Sequence, residues 1–296
     1  MIDIRYLGIT LIAVFLALAV GMMTGSALGG PDKRDAAYEG LRGQFELLRA
    51  ENQRVQDEND AVRRRLNARE QALRELQPLA IRGRLPGSTI AVIICGPANE
   101  RGYWGELESA IRTAGAEIGP VVRIPDALRE IPEDVRPRFE LIWGDHPPDT
   151  PHEQYEPAGW VVRALARGGT AERLADLAAT TGMELRGTNR GPIRRLLVLV
   201  SVPDQGRAAQ VAAGEVPEVR VLEAARAIGL RTVVAEPEET VTSAVDALRR
   251  RANVPTVDNI DTAAGRIAAV LALAGEDGEF GSKPGSSRPL PPVGTR

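Results

Sequence analysis

The hydrophobic pattern changes twice along the chain and divides it into an apolar start, a heptad region and a longer mixed region. No residue from Leu7 to Leu28 is charged, and about 20 apolar residues suffice to cross the hydrocarbon core of a bilayer. This run predicts a transmembrane anchor over residues 1–30. The alternative is a cleaved signal peptide, which has a basic start and a shorter apolar core, whereas this chain begins with both Asp3 and Arg5.

Small residues occupy every fourth position of the predicted anchor helix. They are Ala13, Ala17, Gly21, Gly25 and Gly29. Small side chains let helices approach closely in lipid, so we expect Gly21 and Gly25 to lie in an interface between two copies of the chain. Met22 and Met23 lie in the same helix, and their thioethers suit copper(I). Adjacent helical residues point about 100° apart, so the two thioethers do not share one face of the helix. The alternative is that Met22 and Met23 pack against a neighbouring helix or face lipid.

Residues 31–77 carry a heptad pattern and predict a coiled-coil stalk. With Phe45 at an a position, most a and d residues as far as Leu76 are apolar. The polar exceptions are Asn52, Asn59 and Arg69. Asparagine at an a position favours a two-stranded parallel coiled coil, because its amide pairs across the interface, and we therefore predict a parallel homodimer. The stalk residues predicted to form its interface are Leu48, Asn52, Val55, Asn59, Val62 and Leu66.

After a predicted linker over residues 78–87, short apolar runs alternate with helical segments. The apolar runs are Thr89–Cys95, Val121–Ile124, Phe139–Trp143, Leu196–Val202 and Arg231–Ala235. The helical segments are Tyr103–Ala114, Ala171–Thr180, Val219–Ile228, Thr240–Arg251 and Ala263–Ala274. Near-continuous apolar strands separated by helices are typical of a parallel sheet covered on both faces. The sequence therefore predicts a doubly wound, mostly parallel, Rossmann-like α/β domain over residues 88–274. Residues 275–296 are rich in Gly, Ser and Pro and are predicted to be a disordered tail.

Composition argues against several classes of function. The chain has 37 basic and 40 acidic side chains and a formal net charge of -3, so nothing indicates a nucleic-acid partner. A single cysteine, Cys95, rules out an internal disulfide framework and cysteine-rich zinc sites. The sequence contains no Walker A, G-x-S-x-G or H-E-x-x-H motif, and no group of residues indicates an acid, base or nucleophile. We therefore predict that the protein is not an enzyme.

One segment gathers both histidines of the chain. His146 and His152 lie within residues 145–153, together with three carboxylates. Imidazole and carboxylate groups together can hold a divalent metal ion, so His146 and His152 are candidate ligands. The alternative is a surface loop, because such loops collect polar residues whether or not they bind a ligand.

A second candidate segment precedes the last predicted helix. Asp261 or Thr262 would cap that helix by accepting hydrogen bonds from its free backbone N–H groups. Asp258 and Asn259 exceed what capping requires. We therefore predict a binding or contact role for Asp258, Asn259 and Asp261.

Two stretches resemble a known family. AVFLALAVG, from Ala13 to Gly21 and leading to Gly25-Ser26, resembles the membrane anchor of the mycobacterial copper transport protein B family. TVDNIDTAAGR, from Thr256 to Arg266, and the following Leu271-Ala272-Leu273 resemble the closing motif of that family. The family usually closes with a Gly-His-Tyr-Gly-like tetrapeptide, where this chain has Gly278-Glu279-Phe280-Gly281 and so no histidine. The order of anchor, coiled coil and α/β domain also agrees.

The resemblance implies a protein of the cell envelope that is involved in copper efflux or copper homeostasis. It implies copper as the metal and places the α/β domain outside the cytoplasm of a single-pass membrane protein. It supplies no copper ligands for this sequence. The residues themselves favour a second hypothesis, a dimeric coiled-coil scaffold that binds envelope or cell-division proteins and does not itself transport copper. One helix per chain cannot line a pore, so transport would require an oligomer or a partner channel.

Overall fold

A computed structural model provides the structure of the chain. It describes residues 4–28, 31–96, 100–125, 128, 133, 137, 157–168, 175, 178–179, 181–188, 191–201, 205–214, 216–240 and 243–292. The chain divides into two compact units, Met1–Ala68 and Arg69–Arg296. The first unit contains α1 (Ile4–Leu28) and most of α2 (Pro31–Ile81), and the second contains the end of α2 and the α/β domain.

The uncharged run forms α1, as its pattern predicts. The large apolar side chains described in α1 are exposed, including Phe15, Met22 and Met23. Gly21 has no neighbouring atom within 4 Å of where a Cβ would lie, and the surroundings of Gly25 are outside the described residues. In the part of the chain that the structure describes, no helix meets the length and hydrophobicity that a membrane span requires.

The predicted stalk is helical throughout, because α2 extends without a break from Pro31 to Ile81. The apolar a and d residues in the first unit are between 42% and 68% exposed. These residues are Phe45, Leu48, Val55, Val62 and Leu66. Asn52 and Asn59 are also exposed. An exposed apolar stripe on an otherwise polar helix is the type of surface that a coiled coil buries, but the pairing with a second chain stays a prediction.

Residues 78–87, predicted as a linker, are instead part of the second unit. Ile81 and Leu85 are both fully buried in it. The last turn of α2 accommodates Pro78, whose carbonyl oxygen accepts a hydrogen bond from the backbone N–H of Arg82 at 3.1 Å. The folded unit therefore begins earlier than the sequence pattern indicates, at Arg69.

A seven-stranded sheet forms the centre of the second unit. Its strands are β1 (Ser88–Cys95), β2 (Ala116–Ile124), β3 (Glu184–Arg186), β4 (Arg195–Leu199), β5 (Arg231–Ala235), β6 (Thr256–Val257) and β7 (Glu279–Phe280). The order across the sheet is β3-β2-β1-β4-β5-β6-β7, and all neighbours are parallel except β2 and β3. This arrangement confirms the mostly parallel α/β sheet. The predicted strand Phe139–Trp143 and most of the predicted helix Ala171–Thr180 lie outside the described residues.

Helices cover both faces of the sheet. In the described ranges the remaining helices are α3 (Trp104–Thr113), α4 (Pro157–Arg167), α5 (Gln205–Ala213), α6 (Pro217–Ala227), α7 (Ala244–Ala252) and α8 (Ala263–Ala274). Successive residues of a strand point to opposite faces, and β1 therefore supplies both core layers. Ala91, Ile93 and Cys95 join the layer formed with α4 to α7, whereas Ile90, Val92 and Ile94 join the layer formed with α2, α3 and α8. A strand buried on both faces has to be continuously apolar, and β1 is apolar and buried from Ile90 to Cys95.

Side chains cap both ends of α8. At the amino end, the hydroxyl of Thr262 accepts a hydrogen bond from the backbone N–H of Gly265 at 3.0 Å. At the carboxyl end, Nε of Arg231 donates to the carbonyl of Ala272 at 2.8 Å, and Nε of Arg195 donates to the carbonyl of Leu273 at 3.1 Å. Cationic side chains at a helix carboxyl end satisfy its free carbonyls and favour its dipole. These contacts hold α8 against the starts of β4 and β5.

The segment predicted as a disordered tail is ordered as far as residue 292, which corrects that prediction. It contributes β7, and the side chain of Phe280 is fully buried in the core layer with α8. Beyond β7, the backbone N–H of Gly281 donates to the carbonyl of Arg288 at 3.1 Å. Residues 279–288, called the strap below, therefore form the edge of the domain.

Replacing Phe280 with alanine tests whether the strap is part of the core. Removing a buried phenylalanine side chain costs roughly 3–5 kcal/mol of unfolding free energy. We expect a loss of that order for Phe280→Ala in urea unfolding followed by tryptophan fluorescence, since every tryptophan of the chain lies in the second unit. Glu279→Ala, on the same strand and only partly buried, is the matched control. Equal and small losses from both variants would contradict the buried strap.

Candidate functional site

Polar side chains collect where β5, β6 and β7 end. These strands are neighbours in the sheet and end at Ala235, Val257 and Phe280. The carboxyl ends of parallel strands lie at one edge, which is where open α/β sheets bind their ligands. The residues that meet at this edge, called the strand-end cluster below, are Glu236, Arg249, Asp258, Ser282, Lys283 and Ser286.

Asp258 lies at the centre of the strand-end cluster and is fully buried. Its Oδ1 accepts hydrogen bonds from the backbone N–H groups of Ser282 at 2.8 Å and Lys283 at 3.3 Å. Its Oδ2 accepts from the hydroxyl of Ser286 and lies 3.7 Å from Nη2 of Arg249. A buried carboxylate requires this number of donors because it has no water around it. Asp258 therefore fixes the course of the strap.

Gly281 allows the strap to approach Asp258 this closely. A Cβ at this position would lie 1.8 Å from Oδ1 of Asp258, which no side chain could occupy. The φ angle of Gly281 is +141°, in a region that other residues rarely adopt. Both the space and the backbone conformation at this position therefore require glycine.

Glu236 is a second fully buried carboxylate of the cluster. Its Oε2 accepts hydrogen bonds from the backbone N–H of Ala244 at 2.8 Å, at the start of α7. Its Oε1 accepts from the hydroxyl of Ser243 at 2.6 Å and from Nζ of Lys283 at 3.0 Å. The ammonium of Lys283 also donates to the carbonyl of Pro237 at 2.9 Å and to the hydroxyl of Thr240. The negative charge of Glu236 is thus stabilised by the amino end of α7 and by the ammonium of Lys283.

The other two predicted binding residues lie in the loop between β6 and α8. Oδ1 of Asp261 accepts a hydrogen bond from the backbone N–H of Glu238 at 2.7 Å. Asn259 is 5% exposed, and no residue in the described part of the chain donates a hydrogen bond to its Oδ1. Its carbonyl oxygen lies so close to α8 that a Cβ on Gly265 would come within 1.8 Å of it. Close packing and internal hydrogen bonds therefore account for most of the polar groups in this loop.

The start of α8 also contacts the end of α2. Oε1 of Glu70 accepts a hydrogen bond from the backbone N–H of Ala263 at 2.9 Å. Arg266, which is 1% exposed, pairs with Oε2 of Glu106 at 2.7 Å and donates to the carbonyl of Asp261 at 2.8 Å. Burial lowers the pKa of Arg266, and the carboxylates of Glu106 and Glu70 act in the opposite direction. The loop that carries the predicted binding residues is thus attached to α2.

A separate polar group lies near the end of β1. Glu100 is 3% exposed and accepts hydrogen bonds from Arg123 at 2.5 Å and from Arg186 at 2.7 Å. Burial alone would raise the pKa of Glu100, but a backbone hydrogen bond and the two guanidinium groups outweigh it, so the pKa lies below its ordinary value. The guanidinium of Arg186 also lies 5.4 Å from the ring centre of Trp104. Glu100 therefore ties β2 and β3 to the segment before α3.

The described residues do not assemble a copper site. They contain no group of three or more His, Cys, Asp or Glu residues that could hold a metal ion. Met22 and Met23 are exposed neighbours on α1, while His146 and His152 lie outside the described residues. The strand-end cluster offers hard oxygen atoms that already accept hydrogen bonds, whereas copper(I) prefers thiolate and thioether ligands. The chemistry of this cluster does not fit copper(I).

Comparison with protein families identifies the chain. The family described as copper transport outer membrane protein, MctB, matches residues 1–291, which is nearly the whole length. The chain belongs to this family. Comparison with curated proteins gives no match. Membership in the MctB family connects the chain to copper transport in general and confirms the resemblance seen at its two ends. The stretch Thr256 to Arg266, which resembles the family's closing motif, contributes Asp258 to the strand-end cluster and forms the start of α8.

The sequence predicts one member of the strand-end cluster, Asp258. Asp258 and Asn259 exceed what capping of α8 requires, whereas Asp261 is one of the two candidate caps. In the structure, the carboxylates of Asp258 and Asp261 both accept hydrogen bonds from backbone N–H groups. Glu236 and Lys283 were not singled out, because Glu236 follows β5 like any turn residue and Lys283 lies in a segment of low complexity. Acidic residues directly after two apolar strands were the available signal, since parallel strands bring such residues together. Whether Asp258, Asn259 and Asp261 bind a ligand stays a prediction.

Replacing Gly281 with alanine tests the close approach to Asp258. Gly275 offers a matched control because its φ of +132° is similar, yet no atom lies within 4 Å of its Cβ position. Gly275→Ala should lose about 1–3 kcal/mol of unfolding free energy through backbone strain alone. Gly281→Ala should lose a further 1–3 kcal/mol or so, because the methyl group displaces Asp258 or the strap. Equal losses in urea unfolding would show that the contact with Asp258 is unimportant.

Proposed function

We propose that this chain is a membrane-anchored protein of the cell envelope that acts in copper efflux or copper homeostasis. The observation that carries the proposal is the match of the MctB family to residues 1–291, which includes both units. The uncharged segment from Leu7 to Leu28 supports anchoring by a single helix. By the same resemblance, the α/β domain lies outside the cytoplasm.

The proposed role treats copper as cargo and assigns no catalytic reaction to the chain. One apolar helix cannot enclose a path for an ion, so movement of copper requires several chains or a partner channel. The candidate residues for copper contact are the thioethers of Met22 and Met23 and the imidazoles of His146 and His152. The chain would then supply an anchor, a stalk and a folded domain to a larger assembly.

The copper content of cells tests this proposal. We expect a strain without the protein to accumulate copper and to grow less well in a copper series, and we expect the restored wild-type chain to reverse both effects. The control is a matched series in zinc, which should be unaffected because the family is linked to copper. Unchanged copper content and copper tolerance in the deleted strain would contradict the copper role.

A second candidate function is that of a dimeric scaffold for envelope or cell-division proteins. The observation that favours it is the apolar stripe along α2, whose members are exposed although they are large and aliphatic or aromatic. Burial of such side chains contributes a free energy of about 25 cal/mol per Å² of apolar surface, and this burial stabilises paired coiled-coil helices. Asn52 and Asn59 at a positions favour a parallel pair in register. This function requires no copper ligand in the chain.

Cysteine crosslinking in membranes tests the dimer. In a parallel pair in register, residues at an a position meet their own counterparts, so Asn52→Cys should form a disulfide-linked dimer under mild oxidation. Asp57→Cys, at an outward-facing f position of the same helix, is the matched control and should not form the disulfide crosslink. The unmodified chain gives the baseline, since Cys95 is fully buried. Absence of the Asn52→Cys dimer would contradict the parallel coiled coil.

A further inference from the structure

A continuous series of polar contacts joins the end of α2 to the strap. Glu70 on α2 accepts from the backbone N–H of Ala263 at 2.9 Å, and Arg266 on the same turn of α8 donates to the carbonyl of Asp261 at 2.8 Å. The carboxylate of Asp261 accepts from the backbone N–H of Glu238 at 2.7 Å. The hydroxyl of Ser282 in turn donates to Oε1 of Glu238 at 2.9 Å.

The series ends in the strand-end cluster. The backbone N–H of the same strap residue, Ser282, donates to Oδ1 of Asp258 at 2.8 Å. Asp258 is fully buried and Arg266 is 1% exposed, so water cannot readily replace a partner that either of them loses. The contacts between them, of Glu238 with Asp261 and with Ser282, lie at the surface. At the buried residues, Arg266 and Asp258, removal of a partner leaves a desolvated polar group unsatisfied, and that penalty favours rearrangement of its neighbours. Loss of a contact at α2 therefore has a physical route to the strap.

We propose that these contacts couple docking of residues 69–81, the end of α2, to closure of the strap over the ends of β5 and β6. Undocking at Glu70 loosens the loop between β6 and α8, and the loosened loop releases the strap. Coupling free energies are reciprocal, so an event that opens or stabilises the strap changes the docking of α2 by the same amount. The device requires neither copper nor a second chain.

The position of the strap means that the proposed coupling would control access to one edge of the sheet. The strap lies across the carboxyl ends of parallel strands, the edge at which open α/β sheets bind ligands. There, two backbone N–H groups of the strap donate hydrogen bonds to the carboxylate of Asp258. The ammonium of Lys283 donates to the carboxylate of Glu236. Opening of the strap would expose both carboxylates, so the state of α2 would control access to this edge.

A continuous series of contacts does not by itself show that two sites are coupled. Amide hydrogen exchange tests the coupling, because it measures whether a change at Glu70 alters opening of the strap. The experiment compares Glu70→Ala and Glu75→Ala in the full-length chain by mass spectrometry. Glu75 is the matched control because it is exposed on α2 and accepts a hydrogen bond from Gln71, four residues away on the same helix. We expect Glu70→Ala to accelerate exchange of the strap amides about tenfold, although Glu70 does not touch the strap. The control should leave strap exchange unchanged.

Faster exchange restricted to Ala263 and its neighbours, with an unchanged strap, would overturn the proposal. If Glu70→Ala lowers the stability of the whole unit, the reciprocal test takes its place. The reciprocal test uses Ser282→Ala, which removes the hydroxyl that binds Glu238. It should accelerate exchange at Ala263, whereas Ser287→Ala, an exposed strap residue, should not. Failure of the reciprocal effect would likewise overturn the coupling.

Discussion

Asp258 places a carboxylate at the end of β6 where water does not reach it, and the course of the C-terminal part of the chain depends on that burial. An unpaired carboxylate in such a place would cost several kcal/mol, so donors have to surround it. Two of the donors are backbone N–H groups of Ser282 and Lys283, which can reach Asp258 only if the chain passes over the end of β6. The same path puts Phe280 into the core and the ammonium of Lys283 beside Glu236. One buried charge thus positions the edge strand, an aromatic core residue and a second ion pair.

Helix α2 is one continuous helix whose two parts lie in different environments. Up to Ala68 its apolar a and d side chains are exposed, whereas from Arg69 onward it belongs to the unit that contains the sheet. Glu70 shows why the change occurs there. The heptad pattern places it among the charged residues that flank the stalk, but its carboxylate caps α8 and its neighbour Arg74 pairs with Glu106 at 3.4 Å. A long helix has little stability of its own in water, so the end of α2 draws its stability from these contacts.

The sequence predicted the elements that periodicity specifies and missed those that tertiary contacts specify. β5 and α8 have the bounds that their apolar patterns indicate, Arg231–Ala235 and Ala263–Ala274, because both are buried along most of their length. β7 could not be predicted, since it has two residues and follows a glycine-rich segment that resembles a disordered tail. Its strand conformation comes from pairing with β6 and from Asp258, more than 20 residues earlier in the sequence. The candidate site was found in part, because Asp258 has an unusual local context, whereas Lys283 acquires its role only through the fold.

The stretch Thr256 to Arg266, which carries the family resemblance, has a structural explanation for most of its residues. Asp258 holds the strap, Thr262 caps α8, Gly265 permits close packing on Asn259, and Arg266 joins α8 to Glu106. These contacts stabilise the fold, and they explain the residues of this stretch without a bound metal. Its oxygen atoms are hard ligands and already accept hydrogen bonds, so this stretch does not supply the soft ligands that copper(I) prefers. Under the proposed copper role the domain would act through what it contacts, and the proposed response of the strap to α2 would regulate those contacts.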